Sequence, residues 1–453
     1  MPFVGGRPMR VIIVGAGEVG TNIADSLEED HDVVVIDRDS DRVESITYDL
    51  DVLAIQGDGT SIETLQRAGL EEAEMVIAST DGDETNIVVC GAAKTVGDPF
   101  TIARVKKTNL LRTWEGATNA FGVDFMVCTD LHTAQTVVDI AGLPDARDVD
   151  SFADGLVRMA EFEIDPESPV AGETIAEADR FESLTFAAIL RDDDIVVPKG
   201  NTVIQAHDAV VVIGSVESVR EFAGGLTPTP TLEQADEIVI VGGSEIGYQA
   251  ARLFEAEGLE PRLLERDHER ARELAERLPE TLVLESDATD IDFLVREHVD
   301  DSDIVVAALD SDEKNLLVSL LAKRIGVERT LGIVEAGEYV DLFETVGIDV
   351  AINPRVVTAE EITRFTREQR TENLAMLEHD RAEVLEIEVD RDSLLFGNRI
   401  RNVTSELPDG VVIGAVTRGE ELITPRGETV LELGDHVVVF VDTDVLDEVS
   451  AAL

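Results

Sequence analysis

The sequence predicts an α/β protein written as two tandem repeats, each a doubly wound parallel sheet followed by a small α+β subdomain. Three observations carry this expectation. Strand-length apolar runs alternate with helix-length runs over the first ~130 residues of each half, the pattern of parallel strands joined by crossover helices. Short motifs recur at an offset that drifts only between 227 and 229 residues. The closing stretch of each half reads as strands punctuated by turns. A chain of 453 residues exceeds a single ordinary core, and 44% apolar residues can bury several.

In order, Arg10–Val14 reads as a strand, Glu18–Glu29 as a helix and Val33–Ile36 as the next strand. Further strands are expected at Val52–Gln56, Met75–Ser79, Phe100–Val105 and Val123–Val127, with Thr129–Ala141 as a helix leaving the sheet. The second copy repeats this from Glu237 to about Ala359, after which Glu360–His379 reads as a long polar helix. The smaller pieces contribute strands such as Val157–Ile164, Thr185–Leu190 and Ala209–Ile213, matched by Glu383–Val389, Val411–Val416 and His436–Val441. The expected domains are 9–142 and 148–226 in the first repeat, a linker at 227–235, and 236–359 and 380–453 in the second.

The duplication is explicit in three motifs. Val14-Gly-Ala-Gly-Glu-Val-Gly20 returns as Val241-Gly-Gly-Ser-Glu-Ile-Gly247, and Asp81-Gly-Asp-Glu-Thr-Asn86 as Asp310-Ser-Asp-Glu-Lys-Asn315. Pro198-Lys-Gly-Asn-Thr-Val203 returns as Pro425-Arg-Gly-Glu-Thr-Val430, each followed by an aspartate, Asp208 or Asp435, ahead of a valine triplet. Thr227-Pro-Thr-Pro230 marks the joint.

Ninety-five acidic side chains against 37 basic ones give a net charge of −58, spread along the whole chain, and only six of the basic residues are lysine. Such a charge repels phosphate backbones and anionic lipid, which argues against nucleic acid or a membrane surface as a direct partner. It suits solvation in a salt-rich cytoplasm, where the Debye length falls to about 3 Å at 1 M; an acidic protein of an ordinary cytoplasm is the other reading. No apolar run approaches the roughly 18–20 residues that span a bilayer. Met1–Arg10 lacks the apolar region of a secretory signal, so a soluble, intracellular chain is expected. Cys90 and Cys128 lie alone in apolar segments and should pack as small hydrophobes. The seven histidines are scattered, and no structural zinc or other metal site is expected.

Gly15-x-Gly17-x-x-Gly20 follows a strand, opens a helix and precedes Asp37 at the end of the second strand, the context required of a dinucleotide fingerprint. The first glycine permits the tight turn, the second a close approach of pyrophosphate, and the third close packing of helix on strand. The helix N-terminus offers unpaired N–H groups and partial positive charge to phosphate. Asp37 suits two ribose hydroxyls and repels a 2′-phosphate, favouring NAD over NADP, although Arg38 beside it tempers that preference. A purely structural glycine turn is the alternative. In the second copy Ser244 replaces the middle glycine and Glu265 holds the acidic position, so a second nucleotide site and a degenerate structural repeat both stay open.

Other residues expected at the carboxyl ends of the strands are Asp58 with its counterpart Asp287, then Thr80 and Asp81, and Arg104, whose counterpart is Ile333. Asp58 suits either an adenosine or the capping of the following helix. No histidine falls at the ends of the first half's strands apart from His31, and the segments after each sheet are too short for a catalytic partner domain. A nucleotide held here is better read as a signal than as a reactant. Asp192-Asp-Asp194 reads as a solvated turn in preference to a cation site.

Taken together, Gly15-Ala-Gly-Glu-Val-Gly20, Asp37, Gly57-Asp58, Thr80-Asp81, Asp83-Glu-Thr-Asn86 and Ala103-Arg-Val105 resemble the N-terminal part of RCK (KTN) domains. The Pro-basic-Gly-x-Thr-Val…Asp pattern resembles the RCK C-terminal subdomain. The duplicated arrangement, covering nearly the whole chain, is similar to the TrkA-type regulatory subunits of Trk potassium-uptake systems. The resemblance implies Rossmann-like sheets and a cytoplasmic regulator, peripheral on the inner face of the cell membrane. It implies a homo-oligomeric ring, dimer or tetramer, beneath a membrane potassium transporter subunit, gated by NAD, NADH, ATP or ADP. Carried over residue by residue, the ligand positions are Gly15, Ala16, Gly17, Glu18, Val19, Gly20, Asp37, Asp58, Thr80, Asp81 and Arg104. In the second half they are Gly242, Gly243, Ser244, Glu245, Ile246, Glu265 and Asp287, with Ser244 and Ile333 departing from the pattern. No residue is assigned a catalytic role. An NAD-dependent oxidoreductase and a regulator of a different cation transporter or antiporter are the competing readings. Thr129–Ala141 and Glu360–His379 are the candidate subunit contacts, with intramolecular packing as the alternative for each.

Overall fold

The computed structural model describes residues 8–28, 31–117, 120–143, 146–191, 194–226, 237–368, 373–376, 382–391, 393–408, 410–419, 421–446 and 449. The expected linker at 227–235 and residues 192 and 193 of the acidic turn lie outside them.

The first repeat opens with β1 (Arg10–Val14), β2 (Asp32–Asp37), β3 (Leu53–Gln56), β4 (Met75–Ala78), β5 (Phe100–Val105) and β6 (Phe125–Cys128). They form one parallel sheet in the order β3-β2-β1-β4-β5-β6. Central strands such as Val11–Val14 are buried on both faces, as a sheet covered by crossover helices demands. The strand order reverses between β1 and β4, and this splays the following loops apart to leave a crevice above β1. Then β7 (Ala146–Phe152), β8 (Val157–Glu163), β9 (Leu184–Arg191), β10 (Asp194–Val196) and β11 (Ala209–Ser215) build an antiparallel sheet, β10-β9-β11-β8-β7.

The second repeat follows the same plan. β12 (Ile238–Val241), β13 (Arg262–Glu265), β14 (Leu282–Glu285), β15 (Ile304–Ala307), β16 (Arg329–Ile333) and β17 (Val350–Ile352) form a parallel sheet, β14-β13-β12-β15-β16-β17. β18 (Asn373–Met376), β19 (Ala382–Glu388), β20 (Val411–Arg418), β21 (Glu421–Ile423) and β22 (His436–Asp442) form the last sheet, β18-β19-β22-β20-β21. The fold is therefore two Rossmann-like parallel sheets, each followed by a small α+β subdomain.

One expected element differs. The long polar helix at Glu360–His379 is instead a helix over Pro354–Glu368, followed by β18. Pro354 sits at the helix start, where its missing N–H costs nothing. Asn373–Met376 pairs with Glu383–Glu386 of β19, so its backbone groups gain partners at a sheet edge. Residues 369–372 and 377–379 lie outside the described residues. The strand expected at Val123–Val127 begins at Phe125, because Phe121 and Gly122 both turn through positive φ just before it.

The chain divides into two compact units, and neither coincides with one repeat. The first holds Met1–Val138 and Glu237–Thr363, which contain both parallel sheets. Within it the two repeats meet through a buried hydrogen bond from Thr358 Oγ1 to Thr129 Oγ1 at 3.0 Å, so these helix starts pack against each other inside one chain. The second unit holds Asp139–Asp236 and Arg364–Leu453. Its two sheets share one core, to which Met159, Ala188 and Ile213 contribute from the first repeat and Val384, Ala415 and Phe440 from the second. A Cβ added to Gly414 would lie 2.6 Å from Ile213 Cδ1, which measures how closely the faces approach. The duplicated aspartates secure the turns above these sheets. Asp208 accepts a forked pair from Arg191 Nε and Nη2 at 2.7 and 2.6 Å, and Gln205 N donates to it at 2.7 Å. Asp435 accepts the same fork from Arg418, at 2.7 and 2.8 Å, with Glu432 N at 2.8 Å.

Both cysteines are buried and unbridged. Burial pushes the Cys90 thiol up to about 12 and the Cys128 thiol up to about 11. Among the described residues no helix is long and apolar enough to cross a membrane, and no cluster of potential metal ligands forms.

Candidate functional site

The crevice above β1 has a volume of about 240 Å³. Its floor is the turn from β1 into the helix Glu18–Glu28. Gly15 holds φ +115, and an added Cβ there would press against the Thr80 backbone at 3.0 Å. A Cβ on Gly17 would meet nothing closer than the tip of Arg42 at 3.5 Å, so its face is open to the crevice. Gly20 lies beneath, not among the lining residues, with the helix seated directly on Gly15.

Asp37 ends β2 at the crevice wall. Its Oδ2 accepts the Ala16 N–H at 2.7 Å and its Oδ1 the Asp39 N–H at 2.8 Å, which leaves each carboxylate oxygen further accepting capacity. Asp58 does not cap the following helix. Its Oδ1 accepts from Thr60 N at 3.0 Å and Thr60 Oγ1 at 2.7 Å, bonds that hold its carboxyl below the usual range, and it lines the crevice. Thr80 and Asp81 line the opposite side. They are positioned by Asn86, a buried residue whose Nδ2 donates to Thr80 O at 2.9 Å and Arg104 O at 2.8 Å while its Oδ1 accepts from Thr80 N and Oγ1. Asp83 ties down the next loop by accepting from Lys106 N and Lys107 N, each at 3.0 Å. The repeated Asp-x-x-Asn motif thus works as a staple between the loops after β4 and β5.

Arg104 is 3% exposed and lines the crevice from the end of β5. Its Nε donates to Thr129 Oγ1 at 3.1 Å, Nη1 stands 3.7 Å from Asp81, and Nη2 has no hydrogen-bond partner among the described residues. Burial pulls its pKa down and Asp81 pulls it back up. A buried guanidinium N–H without a partner is costly, and this one belongs to an arginine that lines the crevice.

Among the lining residues that sequence reasoning missed are two arginines. Arg42 sits in the first turn of the helix after β2, preceded by Asp39 and Asp41, so no basic pattern marked it. Arg355 comes from the second repeat and gave no local signal at all. Glu18 explains its arrival: the carboxylate accepts from Arg355 Nη1 at 2.8 Å and Asn353 Nδ2 at 3.0 Å. Four arginines (Arg38, Arg42, Arg104 and Arg355) converge on one crevice of a chain with net charge −58.

The second crevice, of similar volume, is lined by Gly242, Gly243, Ser244, Glu265, Asp287, Asp310, Arg266 and Lys314 among others. Glu245 and Ile246 are not among its lining residues. Glu265 copies Asp37, accepting from Gly243 N at 2.8 Å and Asp267 N at 2.6 Å, and Asp287 copies Asp58 through Thr289. Ser244 turns inward: its Oγ donates to Ala308 O at 2.6 Å and caps the helix by accepting from Gly247 N at 3.2 Å. Glu245 accepts from Thr108 Oγ1 at 3.0 Å, so each repeat's fingerprint glutamate reaches the other repeat.

Strand register makes Asp130 the counterpart of Arg355: Ile102 pairs with Phe125 as Leu331 pairs with Val350. Burial raises the Asp130 carboxyl to about 6; Glu245, Glu335 and Asp83 add to the rise and Lys106 opposes it. A folded-state value above the unfolded one means the protein binds that proton more tightly when folded. Its favourable contribution is complete below about pH 4 and fades as pH rises through about 6. Asp130→Asn should therefore stabilise the protein by about 2 kcal/mol at pH 7.5, with the gain shrinking steadily toward pH 4.5. Urea unfolding across that range checks this, and a gain independent of pH would contradict it.

A duplicated dinucleotide-type fold with one arginine-rich crevice defines the class. The TrkA-N domain matches residues 11–127 and 238–354, and the TrkA-C domain matches 159–224 and 384–453. The chain belongs to the TrkA family of tandem RCK/KTN proteins. It is 37% identical to the Trk system potassium uptake protein TrkA homolog 1 of Methanosarcina mazei, over 98% of this chain and 99% of that one. It is likewise 37% identical to the TrkA homolog of Archaeoglobus fulgidus, over 98% and 99%. The crystal structure of the GsuK RCK domain aligns with a TM-score of 0.59 at 18% identity, covering 100% of this chain and 97% of that one, a likeness of fold.

Proposed function

We propose that this protein is a cytoplasmic nucleotide-binding regulatory subunit of a potassium transport system, in which the first crevice takes NAD or NADH, with ATP or ADP as further ligands of the same chemistry. The observation that carries the reading is the crevice itself. An open glycine turn at a helix N-terminus, an acidic residue at the end of β2 and a buried arginine with one N–H unpaired among the described residues converge on it. The helix amides and Arg104 suit a pyrophosphate, and Asp37 suits the ribose hydroxyls. The relatives named for Trk potassium uptake support the physiological setting, and a GsuK channel of the same fold was solved bound to NAD. In this reading the chain assembles as a homo-oligomeric ring, peripheral on the inner membrane face, under a potassium transporter. The nucleotide acts through its unequal affinity for two shapes of the ring and is not consumed.

Titration calorimetry with NAD, NADH, ATP and ADP tests this. Asp37→Ala should weaken NADH binding at least tenfold, since two charge-assisted hydrogen bonds contribute about 1.5 kcal/mol or more each. Saturable oxidation of NADH by the pure protein with a small substrate would sink the regulatory reading.

A further inference from the structure

Arg355 stands at the start of the helix Pro354–Glu368, in the second repeat, yet its side chain lines the first crevice. It is held there by two carboxylates, with Nη1 2.8 Å from Glu18 Oε2 and Nε 3.6 Å from Glu335 Oε2. Glu18 occupies the first turn of the helix whose N-terminus faces the crevice, where a negative charge is favourable. A phosphate entering the crevice would seek the same helix terminus and the same guanidinium. Glu18 and phosphate are therefore competitors for Arg355. Buried Arg104, a second cation, lines the same crevice, and its Nη2 has no partner among the described residues.

The second crevice lacks both groups. Ile333 occupies the position of Arg104, and Asp130 that of Arg355. Neither counterpart is among the residues lining that crevice, whose cations, Arg266 and Lys314, both come from its own repeat. Two copies of one plan thus differ in what crosses between repeats: the first crevice receives Arg355, and no described residue of the first repeat lines the second.

Resting on the nucleotide-binding reading above, we infer that Arg355 is a specificity-determining phosphate ligand of the first crevice, lent by the second repeat. It exchanges Glu18 for the phosphate of a nucleoside diphosphate or dinucleotide, and the chain takes one such ligand, in the first crevice alone. The exchange also frees Glu18 from Arg355, so occupancy of the first repeat is felt by the second.

Calorimetry on the full-length chain, with ADP, NADH and adenosine (the last by displacement), tests the inference. Wild type should bind one ADP per chain. Arg355→Gln should weaken ADP and NADH at least tenfold and change adenosine less than twofold. Arg355→Lys should fall between, because a point charge replaces a fork. Glu18→Gln should tighten ADP threefold or more, since it removes the competitor; were Glu18 itself a ligand, the same change would weaken binding. Thermal melts of each variant guard against misfolding. Equal loss for adenosine and ADP in Arg355→Gln, no loss at all, or two equivalent ADP sites per chain would overturn the inference while leaving nucleotide binding intact. Wild type that binds none of the three would remove the functional reading, and this inference with it.

Discussion

Gly20→Ala is expected to destabilise the first repeat by about 3 kcal/mol or more and to abolish nucleotide binding. Helix propensity alone points the other way, because alanine inside a helix is favoured over glycine by about 1 kcal/mol. Sterics decide. The new Cβ would lie 1.8 Å from the Gly15 carbonyl oxygen, far inside van der Waals contact. That carbonyl cannot retreat, since Gly15 N is bonded to Ile36 O at 2.8 Å and its Cα already faces the Thr80 backbone. The helix must lift instead, carrying Glu18, Val19 and the amides that face the crevice. Gly247→Ala meets Gly242 O at 2.1 Å and should cost similar stability while leaving ADP affinity within twofold of wild type. Urea titrations paired with calorimetry separate the two outcomes; a Gly20→Ala protein with normal melting and normal binding would refute the packing account.

Asp435→Ala should cost about 2–3 kcal/mol, the second large effect, because it leaves the buried Glu432 N–H and Arg418 Nε without their acceptor, while the partly exposed guanidinium keeps Glu432 Oε1 and Val430 O. Burial by itself would raise the Asp435 carboxyl. The Arg418 fork and the Glu432 amide outweigh it and hold the group below its ordinary value. The stabilisation is thus present above about pH 4 and is lost as pH falls through the lower folded-state value. The difference in urea midpoint between wild type and variant should be constant near neutrality and close at acidic pH. A variant as stable as wild type at pH 7 would show that the aspartate is dispensable to the turn.

Much of the fold was legible because it rests on short-range signals. Strand-length apolar runs alternating with helix-length runs placed both parallel sheets, and glycine spacing placed the turn at Gly15. Where a local pattern competed with a distant partner it failed: Asn373–Met376 looks helical in a polar run, but β19 gives its backbone a sheet edge to pair with. The site divides the same way. Asp37, Asp58, Thr80, Asp81 and Arg104 each end or follow a strand of one sheet, so the topology that predicts the sheet also predicts their convergence on one crevice. Arg355 enters from a different repeat, and no sequence window spans that distance. Ser244 was visible as a departure from the glycine pattern, but only coordinates reveal its hydroxyl turned inward as a helix cap. The Asp83 and Asn86 motif was noticed for its repetition; its work, stapling two loops, depends on carbonyls that a sequence does not display.

The pairing of like sheets across the repeats has a consequence for what half of this polypeptide would be. Severed from its sibling, one repeat would expose the apolar face around Met159 and Ile213 and leave Glu18 without Asn353 and Arg355. It would need a second molecule to cover them, and its integrity would then vary with dilution. Fusion turns that encounter into a tethered one at high effective concentration. It also lifts the demand for symmetry, since joined copies can diverge where identical ones cannot, and Arg355 opposite Asp130 is that divergence written in charge.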